Sequence, residues 1–189
     1  MYFFKKTKPQ AISLALLLII CISSCTKTKS KLDAYGPVFS AVILNDVGVF
    51  RGFNLGDSLN YVQKNELSQP VESDNNYLYY ENKIDSSEHS LSNIGSYNIT
   101  YNFDDKGLSE IQSDIFIKDG NKEEEVFNKF KTYFDEHYGT SENHMGFSVW
   151  TVKSSKYNDV RISLSDESSD FSVDKAPAKI SLWIYPDEN

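Results

Sequence analysis

The histidines are the first residues to test for chemistry. His137 and His144 straddle the end of a helical stretch with Glu136 and Glu142 nearby, so nitrogen and carboxylate donors suited to a metal ion lie close together in sequence. Their spacing is not that of two histidines one helical turn apart, the arrangement that turns both rings toward one ion. The plainer reading is one histidine at a helix C-terminus, where the dipole favours its cation, and a second in a loop. His89 sits among serines and reads as solvated. The sequence therefore predicts no metal site and no cofactor.

Nucleophilic serine chemistry needs a base and an orienting acid, and its local signature, Gly-x-Ser-x-Gly, is absent. Glu123-Glu124-Glu125 and Asp166-Glu167 offer carboxylates of the kind a glycosidase pairs across a sugar. Adjacent acids more commonly form a helix's first turn or a solvated loop, and a small chain rarely encloses a sugar cleft between two such groups. Asp114, Asp119, Asn121 and Glu123 carry oxygen donors suited to calcium, but not at EF-hand spacing, and Asp119-Gly120-Asn121 reads as a turn before a helix. There is no glycine-rich phosphate loop. No catalytic residue emerges, and the chain is expected not to be an enzyme. The competing reading, a small hydrolase acting on glycan or peptide, requires a cleft holding a perturbed carboxylate or histidine.

Cysteine is the more informative residue. Lys5, Lys6 and Lys8 precede an apolar run from Ala11 to Ile22, the charged-then-apolar order of a secretion signal. The run is short for a hydrocarbon core of about 30 Å, so a cleaved signal is preferred to a permanent span. It ends at Ile22-Ser23-Ser24-Cys25, which resembles the lipobox of bacterial lipoproteins. That resemblance implies cleavage after residue 24, diacylglycerol on the Cys25 thiol and a further acyl chain on its amine. Cys21 would leave with the signal, so the mature chain would have no internal disulfide and would depend on its core alone. Several acyl chains, at about 0.8 kcal/mol per buried methylene, give durable membrane attachment. In the same family Thr26, in place of an inner-membrane-retaining aspartate, implies the outer membrane. The lack of an acidic run after it implies the periplasmic leaflet.

Removal of the leader would leave 165 of the 189 residues, one ordinary domain or two small repeats sharing a core. It would take the net charge from −8 to −11, because the leader holds three lysines and no acids. Such a surface repels nucleic acid and anionic head groups. The expected partners are the membrane, through Cys25, and an envelope protein.

The elements follow from periodicity. Residues 25–34 read as a polar tether and the globular part as 35–189. The segment Val38 to Phe50 is apolar but interrupted by Asn45, Asp46 and Gly48, and it fits a strand, a short helix, or a strand reached through a turn. Asp57 is positioned to cap a short helix ending near Glu66. Tyr77 to Ile84 reads as a strand and Asp85 to Asn93 as a polar loop. Tyr97, Ile99, Tyr101 and Phe103 alternate with polar residues, turn through Asp104-Asp105-Lys106-Gly107, and pair with a strand carrying Ile111, Ile115 and Ile117. Asn121 to Tyr138 is the best helix, with Asn121 at the cap, Val126, Phe127, Phe130, Tyr133, Phe134 and Tyr138 on one side, and Gly139 as its stop. Strands follow at Phe147–Lys153, Val160–Leu164 and Lys179–Tyr185. The fold class is α+β, one or two helices on an antiparallel sheet. The order, helix and three strands twice, suggests a tandem duplication about residues 50–118 and 119–187.

At Gly56-Asp57-Ser58 with Val62, followed by a polar break and aromatic strands, the unit resembles the helix-on-sheet repeats of the β-lactamase-inhibitor-protein-like and outer-membrane-assembly lipoprotein families. Members bind other proteins through a sheet face or its loops, so the resemblance implies a binding or scaffolding role.

Trp150, between Val149 and Val152, is assigned to the core. Trp183 and Tyr185 lie on the strand parity opposite Ile180, Leu182 and Ile184. Either the sheet is covered on both faces, or Trp183 and Tyr185 are exposed as partner-binding residues.

Overall fold

The computed structural model describes residues 31–84, 95–154, 156–157, 159–168 and 177–187. The leader, Cys25, His89 and the loop expected at 85–93 lie outside them.

Alternating apolar and polar residues can bury one face of a strand and wet the other, and the longer of the eight described strands form one sheet on that basis. The eight are β1 (Glu72–Ser73), β2 (Tyr77–Ile84), β3 (Gly95–Asp104), β4 (Gly107–Ile117), β5 (Glu142–His144), β6 (Phe147–Lys153), β7 (Asp159–Asp166) and β8 (Ala178–Pro186). They form one antiparallel sheet in the order β1-β2-β3-β4-β8-β7-β6-β5. Each half of the chain thus supplies a meander of four strands, and the two meanders join through β4 and β8. The sequence predicts three strands per half. The fourth in each, β1 or β5, has only two or three residues and no periodicity to read. Both lie at the sheet edges, where short, polar strands offer little to an intruding chain.

Gly107 closes the β3–β4 hairpin with φ +109°, a region costly for any side chain. A Cβ there would lie 2.7 Å from the Gly56 carbonyl oxygen and 2.8 Å from that of Asp57. This close approach lets the Gly56 N–H donate to the Leu108 carbonyl and the Leu108 N–H to that of Asp57, each at 2.7 Å. The first loop is thereby fastened to the hairpin.

Three helices pack on the sheet face carrying Ile99, Ile115, Ile162, Leu182 and Ile184. The segment left open as strand or helix is helix α1 (Pro37–Ile43), followed by turns through Gly48 and Gly52. It adds a third helix to the expected one or two. Helix α2 (Leu59–Asn65) is capped by Ser58, whose hydroxyl accepts from the Tyr61 N–H, and not by Asp57 as expected. The Asp57 carboxylate instead accepts from the Asn54 N–H at 2.8 Å, closing the loop before the helix. Helix α3 (Glu123–Tyr138) starts after a 3-10 turn at Gly120–Lys122, so Asn121 is not its cap. Asp119 accepts from the Asn121 N–H, and Gly139, φ +90°, ends the helix as predicted. Phe130 and Tyr133 each place a ring 4.8 Å from that of Phe39, while Phe134 lies 5.2 Å from Trp150. Trp150 is 2% exposed, as its core assignment requires. Leu32 is also buried, which puts the start of the packed chain ahead of Tyr35.

Candidate functional site

With three helices on one face, the opposite parity of the sheet is the surface to examine. Antiparallel register lines up Tyr79, Thr100, Gln112, Trp183, Ser163 and Val149 in one row across six strands. The row on one side carries Glu81, Asn98, Asp114, Ser181 and Ser165, and on the other side Asn102 pairs with Glu110 while Tyr185, Arg161 and Thr151 line up across β8, β7 and β6. Amides, hydroxyls and carboxylates thus surround the adjacent rings of Trp183 and Tyr185 on the sheet. Of the two alternatives for Trp183, exposure is the one found: it is 44% exposed at the middle of this face, and Tyr185 is half-buried beside it.

The Trp183 ring is held in place. Its Nε1–H donates to Glu110 Oε1 at 2.9 Å, and the same oxygen accepts from the Asn102 amide at 3.3 Å. The Tyr185 ring meets it near edge-on, with centroids 5.9 Å apart. A depression of about 500 Å³, lined by Ser109, Glu110, Trp183, Tyr185 and Pro186, opens here. A smaller one of about 260 Å³ lies on the other side of Trp183, among Phe147, Ser163, Ser165, Lys179 and Ser181. In it Lys179 bridges Glu167 Oε2 at 2.9 Å and Asp114 Oδ1 at 3.2 Å, and Ser181 donates to the same Asp114 oxygen at 2.7 Å. Burial opposes the Lys179 charge, yet the two carboxylates outweigh it and raise its pKa, so it is a fixed cation and not a base.

The remaining candidates separate. His137 donates from Nδ1 to the Tyr133 carbonyl, 2.8 Å away at the C-terminus of α3, and its ring lies tilted 4.0 Å from that of Tyr133, while His144 is exposed on β5. Glu136 accepts from the Tyr35 hydroxyl. Among the described residues no three His, Cys, Asp or Glu side chains gather as a metal set. Asp114 faces the open side of the sheet while Asp119 caps a turn, which parts the oxygen donors considered for calcium. Asp166 and Glu167 point to opposite sides of the sheet, and Asp166 instead meets Glu123. Burial and the neighbouring Asp166 carboxylate raise the Glu123 pKa; Asp166, with Glu123 and Ser168 as partners that outweigh burial, is lowered. Two carboxyls close enough to shift one another in opposite directions leave no room for a sugar between them.

A polar cluster that sequence reasoning missed lies on the helix side. Arg51 is 3% exposed, with Nη1 donating to the Ala41 and Val42 carbonyls at 2.9 and 2.8 Å and the rest of its fork facing Glu66. The Tyr101 hydroxyl donates to the same carboxylate. Arg51, Glu66 and Tyr101 engage one another, so the cluster fastens α1, α2 and β3 together.

No described helix is long and apolar enough to cross a membrane. Compared with protein-family models, curated proteins and solved structures, the chain matches none.

Proposed function

We propose that this chain is an exported bacterial lipoprotein, anchored through acyl chains on Cys25, whose globular part is a non-catalytic module that binds an envelope protein with the open sheet face around Trp183. The observation that carries the binding reading is Trp183 itself. A large ring stands exposed at the centre of a sheet and is fixed there by Glu110, so a partner gains its contact area without first having to order it. The helix-on-sheet resemblance supports the same reading, since those families bind proteins through a sheet face. The anchor and the outer-membrane, periplasm-facing location rest on the leader and Ile22-Ser23-Ser24-Cys25.

The test is in-cell photo-crosslinking of the full chain from position Gln112, next to Trp183 in register, with Cys25→Ala as the unanchored control. A single protein captured by the anchored form, and lost with Trp183→Ala, is the expected result. No capture from this face overturns the binding reading. Incorporation of labelled palmitate that disappears in Cys25→Ala tests the anchor separately.

A further inference from the structure

We propose that the depression beside Trp183 receives a basic side chain, the guanidinium of arginine or the ammonium of lysine, presented by the protein partner. This rests on the reading of the open face as a protein-binding surface and specifies what it recognises. Glu110 supplies the charge. Both donors to its Oε1, the Trp183 indole and the Asn102 amide, are neutral, and among the described residues no lysine or arginine pairs with it. Arg161, which pairs with Tyr185, lies 3.1 Å from Asp187, and Lys179, farther along β8, is held between Asp114 and Glu167. A negative charge therefore stands at the wall of a cavity of about 500 Å³ with no cation of its own.

The aromatic groups select the same ligand. A cation is attracted by the negative face of an aromatic ring, most strongly by tryptophan, and Trp183 and Tyr185 border the cavity that Glu110 lines. The indole N–H is already used by Glu110, so Trp183 presents its ring and not its donor to a ligand. An anionic group would be repelled by Glu110, and a neutral one would leave its charge uncompensated on closure. The net charge of −8 steers basic partners toward the molecule as a whole.

The two tryptophans make the test direct, because Trp150 is buried on the far side of the sheet and Trp183 alone borders the cavity. The full chain in detergent micelles is titrated with a tri-arginine amide, its tri-citrulline analogue, which keeps the length and hydrogen bonding without the charge, and a neutral N-acetylglucosamine oligomer. The arginine peptide should shift Trp183 emission saturably, with citrulline about tenfold weaker or worse, and the Glu110→Gln variant should lose about the same factor at an unchanged melting temperature. Equal binding of arginine and citrulline peptides overturns the proposal, as does tighter binding of the sugar or no response to any probe. The crosslinking experiment separates the two levels. Capture from Gln112 that persists in Glu110→Gln refutes the basic-side-chain inference and leaves the binding face standing, whereas no capture by the unaltered chain removes the face itself.

Discussion

Arg51 and Glu66 meet in a two-pronged ion pair, Nε to Oε1 at 2.8 Å and Nη2 to Oε2 at 2.9 Å, with both side chains almost wholly withdrawn from water. Arg51 adopts a left-handed backbone, φ +55°, which a side chain occupies only when its surroundings enforce it. Removing one partner of a buried pair strands the other's charge, so Glu66→Gln should cost about 3–5 kcal/mol in urea unfolding. Arg51→Lys should also lose much of this stability, because an ammonium cannot reproduce the fork that reaches Glu66 and two carbonyls at once. A loss below about 1 kcal/mol in both variants would show that the pair is dispensable.

The same pair sets the response to acid. Burial alone would raise the Glu66 pKa, but the Arg51 hydrogen bonds and charge outweigh it and hold the carboxyl below its usual range. The stability it contributes is therefore present above the unfolded carboxyl pKa, about 4.3, and is lost as pH falls through the lower folded value. Melting temperature against pH should fall less steeply in acid for Glu66→Gln than for the unaltered chain, and parallel curves would refute the assignment.

Alkaline behaviour follows from the tyrosines. Burial, reinforced by the nearby Glu66 charge, raises Tyr80 to about 12; burial also raises Tyr133 to about 12 and pushes Tyr101 well above its ordinary value. Their stabilising contribution is present below the unfolded tyrosine pKa of about 10 and is lost as pH rises beyond it. Absorbance at the phenolate band should show an early group of exposed tyrosines and a late group that titrates together with the loss of far-UV circular dichroism. One simple titration near pH 10 with structure retained would contradict this.

What the sequence discloses here is local. The ends of β2 are legible to the residue because its alternation runs along the strand, those of β6 because a β-branched and aromatic run is bounded by glycine and polar residues, and Gly139 marks the end of α3 because its φ of +90° is open to glycine at little cost. The caps slip by a residue or two where several polar side chains compete, as at Asp57-Ser58 and Asp119 to Lys122. Strands β1 and β5 are too short to show a period. The Arg51–Glu66 pair joins residues on separate elements, and nothing in their spacing announces that both charges are buried. The carboxyl contact between Glu123 and Asp166 exists only once α3 has packed beside β7. Whether Trp183 faces solvent depends on what covers the second face of the sheet, which the parity of one strand cannot disclose.

The two tryptophans should separate stability from binding. Trp150 is 2% exposed, packs on Phe134 and donates its indole N–H to Asp135 at 3.0 Å, so Trp150→Ala opens a cavity and leaves a carboxylate short of a donor. It should cost about 3–5 kcal/mol. Trp183, 44% exposed on the open face, fills no core space and should cost about 1 kcal/mol or less when replaced by alanine. Urea unfolding of both variants, run beside the Gln112 crosslinking assay, provides the check. A structural ring would lose stability and capture together, whereas a recognition ring loses capture while the melting temperature holds. A large stability loss for Trp183→Ala would therefore remove the main support for this face as the binding surface.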